Sequence, residues 1–92
     1  MDFNGNQKFK RTSCVSTKQV EDELLLLHLE TGDYFSLNSI GHQIWDYCVE
    51  AKSAEEVIKF VMSQYECSEE KAKKDVQDYF ETLIREKIFE IV

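Results

Sequence analysis

One stretch constrains this chain more than any other. Glu23-Leu24-Leu25-Leu26-Leu27-His28-Leu29 runs into Glu30-Thr31-Gly32-Asp33 and then into Tyr34-Phe35-Ser36-Leu37. The first segment reads as a strand, although leucine is not a strong strand former; pattern and flanking residues carry the assignment. Its faces, Leu25, Leu27, Leu29 and Leu24, Leu26, His28, are both largely apolar, which predicts burial on both sides. Gly32 stands where a tight turn needs positive φ. The second segment returns as a short strand with Phe35 and Leu37 on one face and Tyr34 and Ser36 on the other. A hairpin is therefore the centre of the fold.

A chain of 92 residues has room for one small domain. That excludes a doubly wound nucleotide fold, a (β/α)-barrel or a two-domain enzyme with a cleft. The longest aliphatic run is Leu24 to Leu27, far short of the roughly 20 apolar residues that cross a bilayer, and no signal-type segment is visible. A cytoplasmic protein without a membrane association is expected. Cys14, Cys48 and Cys67 are three, far apart and without a C-x-x-C, which fits reduced thiols and neither a disulfide framework nor a zinc site. There is no proline, and Gly5 lies in a polar stretch, Met1 to Gln7, read as a flexible arm. One domain, residues 8–92, follows.

Upstream of the hairpin, Phe9 to Val20 is mixed and β-leaning. Downstream, three helices are predicted. Asn38 or Ser39 caps the first, with Ile40, Ile44, Trp45 and Cys48 on one stripe. Ser53-Ala54-Glu55-Glu56 is a capping-box pattern opening the second, whose apolar face is Val57, Ile58, Val61, Met62 and Tyr65. Ser68 caps the third, with Glu69 and Glu70 favoured near its positive end and Ala72, Val76, Phe80 and Leu83 as its core stripe. That helix should end near Lys87, before an apolar tail, Ile88 to Val92. The fold class is α+β: a three-stranded antiparallel sheet followed by three helices, winged helix-turn-helix-like in inventory.

Net charge is −7, and it is uneven: residues 1–20 hold four bases and one acid, the rest seven bases and 17 acids. A basic arm ahead of an acidic body is either a docking device or a solvated tail. The overall acidity disfavours nucleic acid, whose phosphates call for clustered Lys and Arg.

The segment Leu26-His28-Leu29-Glu30-Thr31-Gly32-Asp33-Tyr34-Phe35-Ser36-Leu37-Asn38, followed by Ile44-Trp45, resembles the signature of PqqD-like proteins. So does Asp75-Val76 followed by Tyr79-Phe80 and Leu83, after a second helix ending in Tyr65. The match covers roughly residues 12 to 90. These proteins are peptide-recognition elements of ribosomal-peptide modification pathways. The resemblance implies that a precursor's leader segment adds as a further strand beside the third strand, next to the third helix. It implies no catalytic residue, cofactor or metal in this chain, and a partner that modifies the peptide: a radical SAM enzyme, a peptidase or a cyclase. Many relatives place a glycine after the third helix. Here Lys87 precedes Ile88-Phe89, and a lysine takes the left-handed cap conformation only at a cost, so the placement of the tail does not carry over.

Under that reading the peptide site comprises Tyr34, Phe35, Ser36 and Leu37 on the strand, with Lys71, Asp75, Asp78, Tyr79 and Thr82 on one flank of the third helix. Neither proline nor lysine blocks the strand edge, as a pairing template requires. A competing occupant of that edge is the protein's own N-terminal arm or a second copy, and a monomer or weak homodimer is expected. Tyr79 either lines the groove with its hydroxyl in water or belongs to the core. Asp75 either meets a leader donor or pairs with Lys71 on a solvated face.

Three other functions compete with this one. Catalysis lacks a constellation, since His28 lies inside the leucine strand and His42 in the first helix turn, in no metal-binding pattern. DNA binding suits the element inventory, but Glu69 to Lys87 holds six acids and five bases, unlike a recognition helix. An interaction subunit with a folded partner has the same sequence features as a leader binder.

Overall fold

The computed structural model describes residues 7–92. The expected arm, residues 1–7, lies outside the described residues except for Gln7. The order is β1 (Lys8–Arg11), β2 (Val15–Val20), β3 (Glu23–His28), β4 (Tyr34–Leu37), α1 (Ser39–Tyr47), β5 (Lys52–Ser53), α2 (Ala54–Gln64), α3 (Glu69–Arg85) and β6 (Phe89–Ile91). The strands form two antiparallel sheets, β2-β3-β4 and β5-β1-β6. The three-stranded sheet followed by three helices is therefore present, and a second small sheet, unread in the sequence, accompanies it.

That second sheet corrects two expectations. The β-leaning stretch Phe9 to Val20 is not one unit: it breaks at Thr12–Cys14 and its halves enter different sheets. The apolar tail is a strand whose Phe89 lies opposite Arg11 and whose Ile91 lies opposite Phe9. Hydrophobic burial drives both changes, because Phe9, Ile88 and Phe89 are almost completely removed from water. The phenyl rings of Phe9 and Phe80 stack at 4.2 Å, and Phe89 meets Phe80 and Trp45 edge-on. The basic residues are not a solvated tail either. Lys8, Lys10 and Arg11 belong to β1 and Lys18 to β2. Arg11 lies 4.7 Å over the Trp45 ring and donates to the Trp45 carbonyl at 3.3 Å.

The helices begin where the sequence placed them. Asn38 Oδ1 accepts from the Gly41 amide at 2.9 Å. Ser53 and Glu56 form the reciprocal capping box at 3.1 and 3.2 Å, and the Ser53 bond holds the Glu56 carboxyl below its ordinary value. Ser68 Oγ accepts from the Lys71 amide. Ala72, Val76, Phe80 and Leu83 are buried, as the third stripe requires. The helix closes through Lys87, which adopts φ +62°. The Ile88 amide then reaches the Leu83 carbonyl at 2.8 Å and the Lys87 amide reaches Ile84 at 3.0 Å, the paired bonds of a Schellman closure. The lysine thus occupies a glycine's conformation and aims Ile88 and Phe89 back into the core.

The leucine strand is buried on one side only. Leu24, Leu26 and His28 face the core, whereas Leu25 and Leu27 are half-buried and Leu29 is 62% exposed. The expected two-sided burial fails because the helices pack on one face of β2-β3-β4.

Candidate functional site

The turn between β3 and β4 is held by a buried histidine. His28 Nδ1 accepts from the amides of Glu30 at 3.2 Å and Thr31 at 3.3 Å. Gly32 supplies φ +79°, and its amide bonds the His28 carbonyl at 2.8 Å. This role of His28 was signalled in the sequence only by its place before a glycine turn.

The turn also sets the phase of the ladder. The His28 amide donates to Asp33 O at 2.9 Å, making these two a hydrogen-bonded pair. In an antiparallel ladder such pairs alternate. With Leu26 opposite Phe35 and Leu24 opposite Leu37, Phe35 and Leu37 spend their backbone groups on β3. Tyr34 and Ser36 turn theirs outward. Among the described residues β4 pairs with β3 alone, and the outer edge they leave offers two N–H and two C=O groups in extended array. The side chains divide the other way: Leu37 is buried, Phe35 half-buried, and Tyr34 is 74% exposed. Ser36 Oγ donates to Glu23 Oε2 at 3.1 Å across the outer face.

The strand leads into a hollow of about 280 Å³ between α1, α2 and α3, whose floor includes Ile40, Ile44 and Val76 and whose rim includes Asn38, Asp75 and Tyr79. Gly41 eases this junction. A Cβ there would lie 3.3 Å from Leu37 Cβ and 3.4 Å from Tyr79 Cε2, so the missing side chain lets the end of β4 approach α3. A glycine in the first turn of a helix was the unread signal.

The helix residues named from sequence fall into three positions. Asp75 and Tyr79 line the hollow. Lys71 joins it through its ion pair, with Nζ 2.8 and 3.0 Å from the two Asp75 oxygens, a bond that raises the lysine's proton affinity. Asp78 and Thr82 are exposed on α3 and do not line the hollow. Tyr79 is half-buried with its ring against Phe80 and Phe89, and its hydroxyl donates to the Gly41 carbonyl at 3.0 Å rather than standing in water. Burial pushes its ionisation well above the ordinary tyrosine range. It is at once a core ring and a wall of the hollow.

A larger hollow, about 490 Å³, lies on the opposite flank of α3, between α2 and α3. Its rim alternates Glu55, Lys59, Glu69 and Lys73, and it adjoins no open strand. Size alone does not make it the site. Among the described residues no cluster of three or more His, Cys, Asp or Glu could hold a metal ion, and no helix is long and apolar enough to cross a membrane.

The arrangement is an unpaired strand edge beside a helix flank, and sequence comparison gives the chain a family. Residues 23–88 match the family described as coenzyme PQQ synthesis protein D, PqqD. The chain belongs to the PqqD family. A solved structure described as TbiB1 in complex with the TbiA(beta) leader peptide is 31% identical, covering 88% of this chain and 94% of that one, with a TM-score of 0.79. Lasso peptide synthetase B1 complexed with the leader peptide shares the fold at 23% identity, TM-score 0.78, with 89% and 96% covered. No curated protein matches this PqqD-family chain.

Proposed function

We propose that this chain binds the leader segment of a ribosomally made precursor peptide and presents it to the enzyme that modifies the peptide. The observation that carries this is the outward array of Tyr34 and Ser36 backbone groups. The TbiB1 structure, solved with a leader peptide, supports it. Main-chain pairing with β4 docks the leader, and side-chain pockets select it. The hollow bounded by Asp75 and Tyr79 receives an inward leader side chain; Phe35 and Leu37 hold β4 on the core. The chain acts as a binder rather than a catalyst, and the chemistry belongs to a partner of radical SAM, peptidase or cyclase type.

Magnitudes define the leader. Four backbone bonds at ~0.5–1.5 kcal/mol each fall short of the ~8 kcal/mol of a micromolar complex, and ordering a flexible peptide costs a further ~2–5 kcal/mol. Two or three apolar anchors, each contributing ~1.5–3 kcal/mol on burial, close the gap. The leader therefore carries aliphatic or aromatic residues at alternating positions. The test is amide-shift mapping of the ¹⁵N-labelled chain with a synthetic leader peptide that carries apolar residues at alternating positions. Shifts concentrated at Tyr34–Leu37, Asn38 and Asp75–Tyr79 are expected. Shifts confined to α2 and the Lys73 flank of α3, with β4 silent, refute the reading.

A further inference from the structure

Four strands end the two sheets, and their edges differ. Among the described residues β2 and β4 each pair with β3 alone, and β5 and β6 with β1 alone. β5 has two residues, and β6 has three with Glu90 at its centre. β4 has four. β2 is longer, Val15-Ser16-Thr17-Lys18-Gln19-Val20, with one base and no acid in a chain of net charge −7. The Leu29 amide donates to the Cys14 carbonyl at 2.8 Å, which sets the phase of its ladder. Hydrogen-bonded pairs alternate, so Ser16, Lys18 and Val20 spend their backbone groups on β3. Val15, Thr17 and Gln19 turn theirs outward. Thr17 and Gln19 are exposed although they share the core side with Leu26 and Leu24, so the helices do not reach over this strand.

The strand is complementary to itself. Antiparallel pairing about a two-fold axis at Thr17 sets Thr17 opposite the partner's Thr17, Val15 opposite the partner's Gln19, and Ser16 opposite the partner's Lys18. Every outward N–H and C=O of Val15, Thr17 and Gln19 then meets an outward group. Lys18 selects this register, because an axis at Lys18 would set two ammonium groups directly opposite each other. The acidic turn, Glu21 and Asp22, comes to lie beside the partner's Cys14, the end that follows the basic strand β1, and farthest from the partner's own acidic turn. The two hollows described above are lined by no residue of β2, so this edge lacks the pockets that anchor a flexible peptide. A second copy brings a strand already ordered and avoids that ordering cost. We propose that β2 pairs with β2 of a second copy, joining two sheets into one of six strands. The β4 edges stay free at its two ends, and the contact is independent of what β4 binds.

The test is sedimentation of the full chain over a concentration series, with melting curves confirming the fold of each variant. The wild type should show a reversible monomer–dimer equilibrium with a dissociation constant below about 1 mM. Thr17→Pro removes an outward donor and spares the pairing with β3, so it should weaken the dimer about tenfold or more. Ser36→Pro, which alters the β4 edge instead, should leave the dimer within about twofold of wild type. Cross-linking reads the register without depending on the proline variant. Cα atoms of a hydrogen-bonded antiparallel pair lie about 5.5 Å apart, within disulfide reach, so Thr17→Cys should form a covalent dimer under oxidised glutathione. In Gln19→Cys the two new thiols sit four residues apart along the strand, roughly 13 Å, and should cross-link no faster than wild type. A monomer at every concentration up to about 1 mM overturns the proposal. So does a dimer that Ser36→Pro dissolves, which would place the contact on β4, or a Gln19→Cys chain that cross-links as fast as Thr17→Cys.

Discussion

The two sheets are built from similar numbers of short strands and serve opposite ends. In β5-β1-β6, the partners come from far along the chain: β1 lies opposite Lys52–Ser53 of the middle on one side and Phe89–Ile91 of the far end on the other. Its inward residues, Phe9 and Phe89, are among the most deeply buried in the molecule. In β2-β3-β4 the strands follow one another through tight turns, one face is core, and the other face and the β4 edge are open. Local pairing lets a sheet hold its register from its own turns, so little further burial is needed to keep it in shape. Long-range pairing closes the domain and leaves the local sheet free to present itself.

The comparison is broken most severely at the closing sheet. Phe9→Ala removes a fully buried ring stacked on Phe80 and should cost ~3–5 kcal/mol, read as a lower urea midpoint with unchanged slope. The β2-β3 turn amides should then lose less hydrogen-exchange protection than those of β1 and β6.

Alkali should act on the same core. Burial pushes the Cys48 thiol up to about 12, above its value in an unfolded chain. Its stabilising contribution is therefore complete below pH ~8.5 and is lost as pH rises toward 12, by up to ~4 kcal/mol. Urea midpoints measured from pH 8 to 11 should fall, and Cys48→Ala should flatten the slope. Thiol labelling at pH 8 should reach the half-buried Cys67 before the buried Cys48, and the bond of Cys14 to Glu30, which raises that thiol, should slow its labelling.

Ser36→Pro tests the open sheet. The ladder phase turns the Ser36 amide outward, so proline there removes an edge donor and spares the pairing with β3. Leader affinity should drop about tenfold or more, equivalent to ~1.4 kcal/mol, with the melting temperature changed by only a few degrees. A large loss of stability would mean that the amide faces β3. The smallest effect belongs to Lys87→Gly. Relief of the left-handed lysine should add ~1 kcal/mol without moving leader affinity, because the gain lies in closing the domain.

The caps at Asn38, Ser53 and Ser68, the glycine turn and the third-helix stripe were legible because each depends on residues within a turn or two of one another. The strand Tyr34–Leu37 and the shared helix flank of Asp75 and Tyr79, one turn apart, were legible for the same reason. The split of Phe9–Val20 was not, since β1 finds its partners some 40 and 80 residues away and no local pattern records them. Nor was the fate of the two apolar faces of β3. Alternation shows that both could be buried, and only the packing of the helices decides which one is. Tyr79 shows the same division at a single residue. Its helical spacing put it at the margin of the core stripe, where wall and core are equally consistent. The sequence by itself determined the hairpin, the helix starts and the chemistry available on each face. Tertiary structure decided that Gly41 admits the Tyr79 ring, that the tail returns to close the domain, and that one leucine face stays in water, because those outcomes depend on which surfaces meet and not on how any segment folds alone.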